Sequence, residues 1–422
     1  MRFVLVSTHV DQTTGYSKVS HALLRQLATL SPKVKTFHFG FQRHPSRANV
    51  RKYPESIVSY DAAANEDPKE EGFGFNKIHE YIDTVNPDIV MIYNDPFVVC
   101  KFIESMKYEP GKSPYRLWVY LDQVYEGVAP QLIDIVRRSA ERIYCFTDSW
   151  KKVFLGYGDA SDVRVLEHAI DSKTLTSLPR DARVSIRKSV NLPDDAIVLL
   201  NANRNSQRKR IDLTVQGFAR ALAKNPKLHL MVATNLNPQS GAYYDVQRIY
   251  LEELKLLGLD AYLYMRNLIL VDTAPPNVVD DDGVNQMYNL ADIGINTSDG
   301  EGFGLCQLEH LYTGAPQVVT DLNAYKAFLN ESVAAFVPAS GRSYFAGGMP
   351  HGLWFPTFSP DDVAKQIEHV VANLDTMKAS ARKHNFRSWS SICDEVLGDL
   401  LTLSEHRVTN VSVPAMLALP SA

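Results

Sequence analysis

The stretch TSDGEGFGLCQLEHLYTG, Thr297–Gly314, lies between two apolar runs, Ala291-Asp-Ile-Gly-Ile-Asn296 before it and Ala315-Pro-Gln-Val-Val-Thr320 after it. The pattern predicts strand, glycine-rich turn, helix and next strand, with Glu301 in the turn and Glu309 on the helix. Glycines let the backbone approach a ligand closely, and a helix N-terminus offers unpaired N–H groups to negative charge. A carboxylate on each side can grip the hydroxyls of a polyol. Together these features predict a nucleotide-sugar site.

Outward from this segment, short apolar runs alternate with helical patterns through most of the chain. Strands are expected at Phe3–Val6, Ile89–Tyr93, Leu117–Leu121, Ile143–Phe146 and Val163–Leu166. A second set is expected at Ile197–Ala202, His229–Ala233, Leu268–Val271, Ile293–Asn296, Gln317–Thr320 and Ala335–Val337. Val19–Leu30 and Ile211–Ala223 place apolar residues three and four apart and read as helices. Such alternation implies α/β architecture, with parallel sheets covered on both faces. It stalls over Asp171–Asp195, a polar, charged stretch, so the boundary between two doubly wound domains is expected there. The expected parts are a first domain over 1–175, a second over 190–385, a returning helix over 386–408 and a weakly patterned tail over 409–422.

With 422 residues, 45% of them hydrophobic, the chain can fill two cores. Its 44 basic and 48 acidic residues leave a net charge of −4, so no whole-chain attraction to nucleic acid or anionic membrane is expected. Cys100, Cys145, Cys306 and Cys393 are scattered, which argues against a zinc site or disulfide framework and suits a reducing, cytoplasmic compartment. No window approaches a membrane span.

The second informative cluster is Asn201-Ala-Asn-Arg-Asn-Ser-Gln-Arg-Lys-Arg-Ile-Asp212, in which Arg204, Arg208, Lys209 and Arg210 crowd a strand-to-helix turn. Fixed cations beside a departing diphosphate stabilise its developing charge. Clustered Lys and Arg also suit a solvated basic loop or a nucleic-acid patch, which stays open at this point.

Arg204-x4-Lys209 followed by Glu301-x7-Glu309 within EGFGLCQLE resembles the donor-binding domain of retaining family 4 glycosyltransferases, the group 1 glycosyl transferases. The resemblance covers most of the chain and implies the GT-B fold, two Rossmann-like domains facing across a cleft. His168-Ala-Ile-Asp171 resembles the turn before the interdomain linker. Phe386-x2-Trp389 resembles the aromatic pair opening a C-terminal helix that crosses back to the first domain. Gly15-Tyr-Ser-Lys-Val-Ser20 is similar to the N-terminal loop that approaches the donor diphosphate, with one glycine where many relatives have two.

The resemblance implies transfer of a sugar from a nucleoside-diphosphate sugar to an acceptor hydroxyl with retention, without a metal or other cofactor. It assigns Arg204 and Lys209 to the leaving diphosphate, Glu301 to the sugar hydroxyls and Glu309 to the ribose. Backbone N–H groups of Gly302, Phe303 and Gly304 would meet the sugar, that of Leu305 the phosphate, and Gly15 the diphosphate. Many relatives carry a histidine after the fourth strand. Here Asp122 stands there: the resemblance implies a polar or charge-stabilising group beside the anomeric carbon, and the residue pattern alone equally suits a helix cap or loop residue.

Asn94 and Asp95 are expected to shape the acceptor side or a turn, Asp280-Asp-Asp282 a solvated loop, and His168 and Trp389 the packing. Tyr243 and Tyr244 read as surface aromatics. The acceptor (glycan, lipid, protein or modified nucleobase) stays open. Rival readings are a nucleotide-sugar epimerase, a non-catalytic GT-B binding protein, and nucleic-acid binding through residues 203–210.

Overall fold

The computed structural model describes residues 1–47, 51–65, 68–160, 162–345 and 352–409. The tail expected over 409–422 lies outside them beyond its first residue.

The first sheet contains β1 Arg2–Thr8, β2 Lys35–Phe41, β3 Val58–Asp61, β4 Ile89–Asn94, β5 Arg116–Leu121, β6 Arg142–Cys145 and β7 Val163–Val165. They lie in the order β3-β2-β1-β4-β5-β6-β7, and every pair is parallel. The second sheet contains β8 Ile197–Asn201, β9 Leu228–Thr234, β10 Leu268–Asp272, β11 Ile293–Asn296, β12 Gln317–Thr320 and β13 Ala334–Val337. Its order is β10-β9-β8-β11-β12-β13, again all parallel. Central strands covered on both faces have no polar side, which is why they read as apolar runs. All six residues of β4 are buried, and so are all seven of β9.

Each sheet reverses its direction of growth once, between β1 and β4 and between β8 and β11. Crevices at the carboxyl ends of strands open at such switch points. The loops that leave β1, β8 and β11 carry Gly15, Arg204–Lys209 and Glu301, so topology alone gathers the predicted residues in one place.

Several elements depart from the expectations. β2 and β3 were not anticipated, nor was the antiparallel hairpin of β14 Ala339–Tyr344 and β15 Trp354–Phe358. Within the stretch read as a polar linker, Arg180–Ser189 is a helix with no buried residue. It docks by its charges: Arg183 Nε donates to the Asn289 carbonyl at 2.7 Å, and Arg187 pairs with Asp292 at 2.9 Å.

The final helix, Trp389–Thr409, packs against Gly15–Ala28 of the first domain. Arg164 reaches Glu395 at 2.6 Å and Asp399 at 2.8 Å, and Arg142 also pairs with Asp399. Trp389 is buried beside His168, which sits among Tyr93, Tyr120, Phe146 and Phe303. Neither ring nitrogen of His168 has a hydrogen-bond partner among the described residues, and burial pushes its pKa down to about 3. It is an apolar packing residue at the joint between the domains.

Candidate active site

The turn after β11 is the centre of the site, and its glycines are required by contact. A Cβ at Gly302 would lie 1.8 Å from Asp122 Oδ1. Gly304 has φ +94° and caps the helix Leu305–Tyr312, and a Cβ on it would lie 2.5 Å from the Tyr325 ring. Gly15 is different: a Cβ there meets only Leu305 Cδ2, at 3.8 Å, an ordinary contact. Gly15 does, however, begin the helix Gly15–Ala28 directly opposite Leu305, so two helix N-termini converge. The Phe303 side chain is buried and stacks on Phe328 at 5.1 Å, holding the turn from behind.

Glu301 is buried, and its carboxylate collects the charge of the β8 loop. Lys209 pairs with Oε1, Arg208 Nη1 lies 3.3 Å from Oε2, and Ser298 and Asn296 donate to Oε1 at 2.8 and 3.1 Å. Burial pushes this carboxyl up, but Lys209 and Arg208 outweigh it and hold the pKa down at about 2. Burial lowers the Lys209 ammonium while Glu301 sustains its charge. Arg204, grouped with Lys209 by the sequence pattern, lies exposed at the start of the loop, and Arg208 stands beside the carboxylate instead. Arg210 pairs with Asp212 at 3.0 Å. Arg208 and Lys209 are therefore turned inward, which takes two of the four cations out of any solvated basic patch.

Glu309 is buried on its helix and accepts two hydrogen bonds from Lys18 Nζ, both 2.9 Å, and one from Tyr288 Oη at 3.0 Å. Lys18 comes from the first domain, so this carboxylate, predicted for ribose, holds an interdomain ion pair here. Burial opposes the Lys18 charge, but Glu309 and Asp281 raise its pKa overall. Asp281 also receives a fork from Arg51, with Nη2 at 2.6 Å and Nε at 3.0 Å. The expectation of a solvated loop over Asp280–Asp282 is thus corrected. Asp280 caps the helix Asp281–Leu290, accepting from Gly283 N at 2.9 Å, and Asp281 ties the domains together.

Asp122 directly follows β5, half-buried under the turn. Its Oδ2 accepts from Tyr16 Oη at 2.5 Å, and burial pushes its carboxyl up to about 6. Nearby, Trp150 Nε1 donates to the Gly302 carbonyl at 2.7 Å, and Tyr125 Oη donates to Asp299 at 3.0 Å. Asp95 caps the helix Pro96–Ser105 through bonds from Phe97 N at 2.9 Å and Val98 N at 3.0 Å, as expected of a turn residue. Tyr243 is 57% exposed, in keeping with a surface aromatic.

Sequence reasoning missed the roles of Tyr16, Lys18, Arg51, Tyr125 and Asp281. Tyr16 and Lys18 stand inside the loop motif itself. A lysine one turn into a helix whose neighbours Ser17 and Val19 are buried was the available signal for a partner.

No protein-family model matches the chain. Among curated proteins, D-inositol 3-phosphate glycosyltransferase of Geodermatophilus obscurus is 27% identical over 288 residues, which is 67% of this chain. The match spans only 57% of that relative's own length. Sucrose-phosphate synthase from Thermosynechococcus elongatus superposes with a TM-score of 0.67 over 98% of this chain and 100% of its own, at 15% identity. The chain has the GT-B fold, and its sequence is similar to glycosyltransferases of group 1. Anabaena Alr3699/HepE, solved in complex with UDP and glucose, shares this GT-B fold, with a TM-score of 0.61 at 10% identity over 97% of this chain and 100% of its own. In this GT-B chain no helix among the described residues is long and apolar enough to cross a membrane.

Proposed function

We propose that this chain transfers a sugar from a nucleoside-diphosphate sugar to an acceptor hydroxyl, with retention at the anomeric carbon. One observation carries the reading. Lys209, Arg208 and Glu301 meet at the sheet's switch point, beside a glycine-capped helix N-terminus with Glu309 one turn further along. In the bound state the diphosphate would draw on Lys209, Arg208 and the first N–H groups of Leu305–Tyr312. Glu301 would then turn its carboxylate oxygens to the sugar hydroxyls, and Glu309 would exchange Lys18 for the ribose.

No side chain is assigned as an enzymic nucleophile. Front-face attack suits this arrangement, with the leaving phosphate taking the acceptor proton while fixed cations offset its charge. We propose that these side chains meet the charge without a metal, that the protein works in the cytoplasm, and that the acceptor binds the loops of the first domain. The HepE structure carries UDP and glucose, which makes uridine nucleotides the first donors to try.

The test is thermal stability with UDP-glucose, GDP-mannose and ADP-glucose. A ligand at about 100 times its Kd adds about 2.7 kcal/mol to the native state. One donor is expected to raise Tm by several degrees. Stabilisation by none of them, or binding that excess nucleotide does not compete away, contradicts the proposal.

A further inference from the structure

Asp122 is the only residue among those predicted for catalysis whose carboxylate is half satisfied. Oδ2 accepts from Tyr16 at 2.5 Å, while Oδ1 is buried with no hydrogen-bond partner among the described residues. A buried carboxylate oxygen without a donor is costly, so a native structure that keeps one needs a reason. Oδ1 faces the Gly302 backbone, at the point where the sugar-side turn of the second domain meets the first.

The groups around Asp122 come from six elements. Tyr16 stands on the helix Gly15–Ala28, Tyr93 and Tyr120 on β4 and β5, Asp95 at a helix cap, Arg208 in the β8 loop and Glu301 in the β11 turn. Burial opposes ionisation most, the Tyr16 bond and Arg208 favour it, and Asp95 and Glu301 oppose it. The Tyr16 ring packs on Tyr93 at 5.2 Å. Its own hydroxyl is pushed far above the usual range, first by burial and then by Asp122, so it remains a donor.

We propose that Tyr16 is a positioning residue: its hydroxyl fixes Oδ2 so that the ionised carboxylate of Asp122 presents Oδ1 to the bound sugar beside the Gly302 turn. This rests on the glycosyltransferase reading above. The charge at Oδ1 offsets positive charge developing at the anomeric carbon as the leaving-group bond lengthens. Without the Tyr16 hydroxyl, Asp95 and Glu301 face the carboxyl with only Arg208 against them, and Asp122 takes up a proton at neutral pH. The group then presents the wrong charge, though its surroundings are unchanged.

The experiment compares wild type, Tyr16→Phe and Asp122→Asn by UDP release from UDP-glucose across pH 5–8. The wild-type rate should rise through an acid limb set by Asp122. In Tyr16→Phe that limb should move up by about one to two pH units, the worth of a hydrogen bond to a charged group. At pH 7 its kcat should fall about two- to tenfold with KM nearly unchanged, and Asp122→Asn should lack the limb. A Tyr16→Phe enzyme that is slower but keeps its acid limb overturns the proposal, because lost packing slows without retitrating. In parallel, 13Cγ-aspartate labelling identifies Asp122 as the resonance absent from Asp122→Asn. Its titration midpoint should rise in Tyr16→Phe, and an unmoved midpoint also refutes the coupling. Absence of turnover by wild type with every donor tried would defeat the glycosyltransferase reading instead, while the labelling result still decides the role of Tyr16.

Discussion

If the ribose of the donor takes Glu309, it must displace Lys18, and this exchange has a measurable cost. Lys18 gives Glu309 two charge-assisted hydrogen bonds of 2.9 Å, and the side chains are only 23% and 7% exposed. A hydrogen bond to a charged group contributes about 1.5–3 kcal/mol net. Lys18→Met keeps the length and apolar stem of the side chain and removes the competitor. Relieved of that cost, nucleotide affinity should tighten about 10- to 150-fold. Stability should move the other way, because the substitution leaves Glu309 buried with, among the described residues, only Tyr288 bonded to it. Tm should therefore drop by a few degrees. Isothermal titration of UDP into both proteins at pH 7.5, with a thermal melt of each, reads both effects. Weaker UDP binding by Lys18→Met would refute the exchange and place Lys18 on the phosphate. Unchanged affinity would mean that the ribose does not use Glu309.

Asp122→Asn should stabilise the protein while disabling it. Burial raises this carboxyl from 3.8 to about 6, and its protonated form contributes relative stability that is full below the lower value and lost as pH rises through the higher. The ionised group thus costs about 3 kcal/mol above that window. Melts of wild type and Asp122→Asn should converge near pH 4 and differ by several degrees at pH 7.5, with the variant higher. Equal melts at both pH values would refute the buried charge. Gly302→Ala should lower both stability and donor binding, since its Cβ cannot coexist with Asp122 Oδ1 at 1.8 Å. Adding Asp122→Ala should restore much of the stability and none of the activity, and a Gly302→Ala protein with wild-type Tm would contradict the contact.

Most of the fold was legible because buried parallel strands carry no polar face. β2 escaped because its sequence, KTFHFGF, interleaves polar and small residues with aromatics. The structure buries His38 anyway by giving both ring nitrogens partners, Ser7 and Tyr53, each at 2.8 Å. The hairpin of β14 and β15 escaped because β14 is mostly exposed and Pro356 interrupts β15. The helix Arg180–Ser189 escaped because it docks largely through arginines and has no fully buried residue. In the site, Glu301, Lys209 and Asp122 could be picked out because each lies in a loop that leaves a strand, and Glu309 because it shares a short motif with Glu301. Their partners could not. Lys18 and Glu309 stand 291 residues apart, Tyr16 and Asp122 106, and Arg51 and Asp281 230. Only the folded chain brings such residues together, within the first domain for Tyr16 and Asp122 and across the two domains for the other pairs.

The central claim is that the inward-facing cations beside Glu301 serve a departing nucleoside diphosphate. Its most direct test is the rate of diphosphate release from the donor that stabilises the protein, measured for wild type and for Lys209→Ala. Losing one such contact typically costs a factor of about 10²–10³ in rate. The account predicts a fall of that size, with the variant folded and Glu301 still held by Arg208. A Lys209→Ala enzyme that turns over at nearly the wild-type rate would contradict it.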